Sequence, residues 1–197
     1  MDCDVLTLAG MWNSGPNHWQ SHWEHKHPEW KRVSHRDWNN PACSEWVGEL
    51  DAAIAGCEGP PVLAAHSLSC ALLAHWAASH SQLKIAGAFL VAPADPQAPA
   101  FPDEATGFGP MPMEKLPFPS IVVASASDDY VSLKRARQFA AAWGSRLVEI
   151  GPAGHINGDS GHGPWPEGEQ MLAEGGSLSD PASFVKRLNE MLLANTK

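Results

Sequence analysis

One short stretch, residues 61–70, most constrains how this chain can fold. It begins as an apolar run of strand length and is interrupted at His66 and Ser67. It then continues as an apolar run of helix length, from Leu68 to about Ala78. A strand that turns sharply into a helix leaves the turn residue at the carboxyl edge of a sheet, facing a crevice. The sequence therefore predicts Ser67 at such an edge.

The residues on either side of Ser67 are small, as the close approach of a strand and a helix requires. Ala65 and Ser69 stand where the G-x-S-x-G pattern has its glycines. In that pattern the strained turn, called a nucleophile elbow, pushes the serine hydroxyl toward the substrate. The match is weak by itself, because an ordinary turn serine gives the same pattern of small residues.

Apolar runs of strand length recur along the chain and alternate with helical patterns. The predicted strands are 5–9, 31–35, 61–65, 85–91, 120–124 and 147–150. Strands that alternate with helices imply right-handed crossovers and a mostly parallel sheet covered on both faces. The length of 197 residues fits one sizeable core and not two. We expect an α/β fold with a mostly parallel six-stranded sheet, as a single domain over residues 1–197.

Capping residues predict where several helices begin. Asn40 and Pro41 are typical of an N-cap and a first helical position. Ser132 can cap a helix with Gly144 past its end. Asp180 is predicted to begin the last helix, whose inward residues are Phe184, Val185, Leu188, Met191 and Leu192.

Two segments rich in glycine and proline are predicted as loops. Residues 92–119 are long for a structureless connection, so they form a binding loop or carry short helices. Phe101, Phe108, Met111 and Met113 from this segment either line an acyl pocket or pack in the core. The second loop runs from residue 151 to about 168.

Several residues capable of chemistry follow directly after predicted strands. Gly10 and Met11, Ser67, Asp128 and His155 do so, and the carboxyl ends of parallel strands share one edge. The order of serine, aspartate and histidine is that of α/β-hydrolases. A serine hydroxyl attacks well only when an imidazole takes its proton and a carboxylate orients that imidazole. We therefore predict Ser67 as nucleophile, His155 as base and Asp128 as the acid.

Asp129 competes with Asp128 for the carboxylate position. Val131 lies three residues after Asp128, at the offset where an apolar residue anchors the loop in hydrolases of this architecture, which favours Asp128. Stabilising a tetrahedral oxyanion requires two backbone N–H donors. Leu68, at the start of the helix, and Met11, after the first strand, are the predicted donors.

Charge and hydropathy exclude several classes of partner. The formal net charge is −9 and no basic run is present, which disfavours nucleic acid and anionic membranes. No stretch approaches the roughly 20 apolar residues of a membrane span, and the first residues lack the features of a signal peptide. We expect a cytoplasmic protein with a small-molecule acyl substrate and no cofactor, and we make no prediction about protein partners.

Cysteine and histidine residues raise the question of metal binding. Cys3, Cys43, Cys57 and Cys70 are far apart without a C-x-x-C spacing, so we predict free thiols in a reducing compartment. The histidines between residues 18 and 27 include one i, i+4 pair, but nothing else has ligand spacing. A solvated helix face with some histidines packed on tryptophan is favoured over a metal site.

The chain resembles small serine hydrolases of the retinoblastoma-binding-protein-nine type, also called YdeN-like hydrolases. The resemblance spans nearly the whole chain, in residues 10–20, 65–70, 116–120, 124–132 and 154–166. It implies a compact α/β-hydrolase with little or no cap, a triad of Ser67, Asp128 and His155, and esterase-like activity on small acyl groups. Two residues depart from the family pattern, because Ser69 replaces a usual glycine and Asp129 replaces a usual proline.

Three functions fit these residues. The first is a metal-independent serine hydrolase that cleaves short-chain carboxylic esters through an acyl-enzyme. An amidase or peptidase would use the same triad and differ in how the leaving group is handled. A binding protein that kept the fold without catalysis is the third, and the complete set of Ser67, Asp128 and His155 argues against it.

Overall fold

The computed structural model describes residues 4–175, and six strands in this range form one sheet. The strands are β1 (Val5–Leu8), β2 (Lys31–Arg32), β3 (Val62–His66), β4 (Gly87–Val91), β5 (Ser120–Ala124) and β6 (Arg146–Glu149). Their order in the sheet is β2-β1-β3-β4-β5-β6, and every neighbouring pair is parallel. This confirms the predicted six-stranded α/β sheet, although β1, β2 and β4 are shorter than expected.

Five helices lie within the described residues. They are α1 (Trp19–Lys26), α2 (Cys43–Ala55), α3 (Leu68–Ala78), α4 (Leu133–Trp143) and α5 (Pro166–Gly175). Residues 4–164 and 165–175 belong to two separate compact units, and α5 lies in the second. That residues 1–197 form a single domain stays a prediction, and the helix predicted from Asp180 lies outside the described residues.

Side chains of successive strand residues point to opposite faces of the sheet, because the side-chain period of a strand is two. One face joins α2, α3 and α4 in a continuous apolar core that includes Leu6, Leu63, Leu90 and Val122. Helix α1 covers the other face, where the ring of its Trp23 packs against Phe89 of β4 with the ring centroids 6.3 Å apart. Helices therefore cover both faces, and each strand from β1 to β5 except the short β2 is buried along its length.

Residues 92–119 contain no helix, so of the two alternatives predicted for this segment the short helices are not observed. The segment carries one isolated bridge, between Thr106 and Ala42. This bridge explains why the predicted start of α2 at Asn40 and Pro41 is also wrong. The Thr106 N–H donates to the Pro41 carbonyl and the Cys43 N–H donates to the Thr106 carbonyl, each at 2.9 Å. Ala42 is therefore the N-cap, without a side-chain cap.

The start of α4 was predicted correctly. Ser132 is its N-cap and accepts from the Arg135 N–H at 3.2 Å, and Gly144 ends it in the left-handed region. Helix α5 was not predicted, because Gly161, Gly163 and Gly168 indicated a loop. Its start signals were present, since it begins at Pro166 and has acidic residues in its first turn.

The prediction of four free cysteines is wrong for Cys57, which is disulfide-bonded. Cys43 and Cys70 are free and buried. Pairing depends on which segments the fold places side by side, and spacing along the sequence does not reveal this. The prediction of a reducing compartment rested on four free thiols, and the disulfide at Cys57 removes part of that support. No helix within residues 4–175 has the length and apolar character needed to cross a membrane.

Gln20 of α1 is fully buried and joins three parts of the fold. Its Nε2 donates to the carbonyls of Leu8 in β1, at 2.9 Å, and Ala64 in β3, at 3.0 Å. Its Oε1 accepts from the Ser14 hydroxyl at 2.6 Å. Every polar atom of this side chain thus satisfies a buried backbone or hydroxyl group.

We predict that Gln20→Leu lowers the free energy of unfolding by about 3 kcal/mol, because buried polar partners lose their hydrogen bonds. Urea unfolding measures the change. Gln138→Leu on the exposed face of α4 is the control and should stay within about 0.5 kcal/mol of the parent. Equal effects of the two substitutions would contradict the role assigned to Gln20.

Candidate active site

Ser67 occupies the single residue between β3 and α3, and its backbone is strained. Its φ is 56° and its ψ is −120°, in a region that residues with a β-carbon rarely adopt. The turn is held from both sides, since the Ser67 N–H donates to the Val91 carbonyl at 3.0 Å. The Ser67 carbonyl accepts from the Cys70 N–H at 3.0 Å and the Ala94 N–H at 3.3 Å. The predicted position at the carboxyl edge of the sheet is therefore observed.

Small residues surround this turn because the backbone segments nearly touch. A β-carbon on Gly10 would lie 2.9 Å from the Ser67 β-carbon, which is too close. Ser69 is fully buried, and its hydroxyl donates to the Ala9 carbonyl at 2.6 Å. The serine that replaces the family's usual glycine thus gains a hydrogen bond to the residue that follows β1.

The structure brings Ser67, His155 and Asp128 together. The Ser67 Oγ lies 2.7 Å from His155 Nε2, and His155 Nδ1 lies 2.9 Å from both carboxylate oxygens of Asp128. A carboxylate only accepts, so Nδ1 carries the proton and Nε2 is free to accept from the hydroxyl. The Asp128 side chain has no exposed surface and that of His155 is 12% exposed. This arrangement can withdraw the proton of the Ser67 hydroxyl.

The loop after β5 fixes Asp128 without the proline that the family usually has at position 129. Asp128 Oδ1 accepts from the Tyr130 N–H at 2.9 Å, and Val131 is buried beneath the loop. Asp129 is exposed to solvent. The geometry therefore favours Asp128 over Asp129 as the partner of His155.

Two serine hydroxyls of the β5 loop hold the loop that carries His155. Ser125 Oγ accepts from the Ala153 N–H at 2.9 Å, and Ser127 Oγ accepts from the Gly154 N–H at 3.0 Å. The acid loop and the histidine loop are thus bonded to each other just before His155. Sequence reasoning assigned no role to these serines.

Two tryptophans of α1 hold the same loop from its other end. The indole N–H of Trp19 donates to the Ile156 carbonyl at 3.0 Å, and that of Trp23 donates to the Pro164 carbonyl at 2.9 Å. The concentration of tryptophans in the first forty residues was the available signal. Their spacing predicts a shared helix face, but not which carbonyls their indoles reach.

His66 also contacts the histidine loop. Its Nε2 lies 2.9 Å from the His155 carbonyl, and because a carbonyl only accepts, His66 donates. Burial holds the pKa of His66 well below its ordinary value. Sequence reasoning predicted a packing or hydrogen-bonding residue here and not a base, and this contact agrees with that prediction.

His18 packs edge-on against His66, with ring centroids 4.6 Å apart. Its Nδ1 accepts from the Gln20 N–H at 3.2 Å, so its proton is on Nε2. Burial lowers the pKa of His18 to about 3. The neutral, buried imidazole of His66 therefore packs next to His155, and that of His18 packs next to His66.

Both predicted oxyanion donors line the cavity beside Ser67. Leu68 is the first residue of α3, where backbone N–H groups have no carbonyl partner within the helix. The Met11 N–H forms no hydrogen bond with any group in residues 4–175. Two unused N–H groups at one cavity beside the hydroxyl can stabilise a developing negative charge.

Arg32 of β2 fixes the loop that contains Met11. Its Nη1 donates to Asn13 Oδ1 and to the Ser14 carbonyl, each at 2.8 Å. Its Nε and Nη2 meet the two carboxylate oxygens of Glu24 at 2.9 and 2.8 Å. The loop is strained, since Trp12 and Asn13 both have positive φ angles, and these bonds hold it in place.

The cavity has a volume of about 360 Å³. Phe101 from the long loop lines it, whereas Phe108 and Met111 are buried in the core and Met113 is exposed. Of the four residues considered for an acyl pocket, only Phe101 therefore reaches the cavity. Among residues 4–175 no group of three His, Cys, Asp or Glu side chains could hold a metal ion.

Comparison with known proteins finds one matching family model and several similar solved structures. The family model described as serine hydrolase matches residues 5–174. A protein from Pectobacterium atrosepticum described as a YdeN-like hydrolase is 34% identical, with a TM-score of 0.79 over 90% of this chain and 92% of that one. The ydeN gene product of B. subtilis has the same fold, at 22% identity and a TM-score of 0.72 over 89% and 99% of the two chains.

Part of the chain also matches a curated chaperone. Chaperone protein HtpG of Colwellia psychrerythraea is 37% identical in an alignment 95 residues long that covers 40% of this chain. The match spans only 14% of the length of the chaperone. Chaperone activity therefore does not follow for this chain.

We predict that His66→Phe lowers kcat for ester hydrolysis by about ten- to a hundredfold, because the His155 loop loses a donor. KM should change by less than about twofold, and His66→Gln, which keeps a donor, should recover part of kcat. His75→Phe removes a similar bond to the Phe108 carbonyl, 2.8 Å long and away from the cavity, and is the control. Equal losses in the His66→Phe and His75→Phe variants would show that His66 has no positioning role.

The buried histidines predict how stability depends on pH. Below about pH 6.5 the unfolded chain binds protons at His18 and His66, whereas the folded chain keeps both neutral. The free energy of unfolding should therefore fall as pH decreases, by up to about 1.4 kcal/mol per pH unit for each histidine. Urea unfolding at about pH 7 and pH 5 measures the slope. His18→Asn keeps an acceptor for Gln20 and should reduce the slope, and an unchanged slope would contradict this account.

Proposed function

This chain belongs to the serine hydrolase family, and we propose that it hydrolyses small carboxylic esters through an acyl-enzyme formed on Ser67. The observation that carries the proposal is the continuous set of contacts from the Ser67 hydroxyl through His155 to Asp128. Relationship to a YdeN-like hydrolase at 34% identity supports it.

In the acylation step Ser67 Oγ attacks the ester carbonyl carbon while His155 Nε2 takes the hydroxyl proton. The imidazolium that forms is stabilised by the buried Asp128 carboxylate at Nδ1. The carbonyl oxygen becomes an oxyanion, which the N–H groups of Leu68 and Met11 stabilise. Collapse of this intermediate expels the alcohol, whose oxygen receives the proton from His155.

In the deacylation step water replaces the alcohol. His155 Nε2 takes a proton from the water while the water oxygen attacks the acyl carbon. The N–H groups of Leu68 and Met11 stabilise the second oxyanion. The proton then returns to Ser67 Oγ, the acid is released, and the enzyme is restored. Each oxyanion donor lowers the barrier by about 3 kcal/mol in enzymes of this kind.

The size of the cavity supports a small substrate. About 360 Å³ is at the lower end of the range for ligand sites, and no helical cap is inserted within residues 4–164. Amide cleavage would use the same residues, so a panel of matched esters and amides tests the choice of leaving group. Esters should be hydrolysed faster at every acyl length, and faster amide cleavage would favour an amidase.

We predict that Ser67→Ala reduces kcat for p-nitrophenyl acetate by at least about a thousandfold, because no nucleophile remains. Release of p-nitrophenol measures the rate, and Ser79→Ala at the end of α3 is the control. Parent activity no higher than that of Ser67→Ala would instead favour a binding protein that kept the fold.

We predict that Asp128→Asn reduces kcat on the order of a thousandfold or more, because the amide cannot stabilise the imidazolium. Asp129→Asn should stay within about threefold of the parent, since its carboxylate is exposed. The same ester assay compares the two variants. A large loss in Asp129→Asn alone would assign the acid to Asp129.

A further inference from the structure

The cavity beside Ser67 is lined by one carboxylate and by no cationic side chain. The carboxylate is that of Asp159, which is exposed and forms no ion pair within residues 4–175. No lysine or arginine is among the lining residues, and the two lining histidines, His18 and His66, are held neutral by burial. A cleft with charge of one sign raises the local concentration of ligands of the opposite sign. The cavity therefore favours a cation and disfavours an anion.

Aromatic rings accompany this carboxylate. Tyr130 lines the cavity, and its ring centroid is 4.5 Å from that of His155. Trp12 also lines the cavity, with 56% of its surface exposed and a positive φ of 64°. The exposed ring of Trp12 is therefore free to contact a ligand in the cavity. Aromatic faces together with a carboxylate are the groups that recognise ammonium ions.

The position of His155 indicates which half of the substrate these groups meet. His155 must protonate the leaving oxygen, so the leaving alcohol lies on the His155 side of Ser67. Tyr130 contacts the His155 ring, and Asp159 belongs to the same loop as His155. The Tyr130 contact places its ring on the leaving-group side, and Asp159 lines the same cavity four residues after His155.

We propose that this site selects esters whose leaving alcohol carries an ammonium group, with Asp159 as the residue that determines this specificity. The inference rests on the proposed ester hydrolysis at Ser67. The Asp159 carboxylate pairs with the cation, and Tyr130 presents its ring face to the ammonium methyl or methylene groups. Esters of alcohols that bear a carboxylate are disfavoured by the same charge.

A pair of acetate esters of equal shape tests the proposal. The cationic ester is 2-(trimethylammonio)ethyl acetate and its neutral counterpart is 3,3-dimethylbutyl acetate, both followed by acid release at constant pH. We expect kcat/KM of the parent to be about tenfold higher for the cationic ester. Asp159→Asn should reduce this ratio to about two or less, and Asp159→Lys should reverse it.

The control is Asp129→Asn, which removes an equal charge from an exposed position that does not line the cavity. Its ratio should match that of the parent. A parent ratio near one, or a ratio unaffected by Asp159→Asn, would overturn the inference, while loss of both reactions in Ser67→Ala would leave the proposed function in place. If neither ester is hydrolysed in a Ser67-dependent manner, the proposed function fails and this inference fails with it.

Discussion

The backbone of Ser67 is held at a positive φ by hydrogen bonds to β4 and to the residues that follow it, and the rest of the site depends on this turn. The strain at Ser67 lowers the stability of the fold, and the hydrogen bonds between the surrounding buried parallel strands offset this loss. A β-carbon on Gly10 would lie too close to the Ser67 β-carbon, and Leu68, the first residue of α3, lines the cavity beside Ser67. A single conformational constraint thus fixes the Ser67 hydroxyl and one predicted oxyanion donor together.

His155 has no regular element to hold it, and its position comes from bonds that converge from distant parts of the chain. Hydroxyls after β5, indoles of α1 and the buried imidazole of His66 each bond to backbone groups at or near His155. The tryptophan-rich start of the chain therefore serves the active-site loop as well as the core. Arg32 does the same for the loop of Met11, so side chains from other segments hold both loops beside the cavity.

The sheet, the order of its elements and the positions of Ser67, Asp128 and His155 were predictable, because each depends on local pattern and on where parallel strands end. The features that could not be predicted depend on contacts between distant segments. Hydrogen bonds between Thr106 and residues 41–43 place the start of α2 later than predicted. Cys57 is disulfide-bonded, which the spacing of the cysteines did not indicate. The bonds from Trp19 and His66 to the histidine loop were missed for the same reason.

We propose that the Ser67 hydroxyl is the nucleophile and that His155 and Asp128 activate it. The most direct test of this proposal is to treat the protein with diethyl p-nitrophenyl phosphate, digest it, and locate the added phosphoryl group by mass spectrometry. We expect one modified residue, Ser67, with modification at least about a hundredfold slower in Asp128→Asn. An adduct on another residue, or equal rates in the parent and Asp128→Asn, would contradict it.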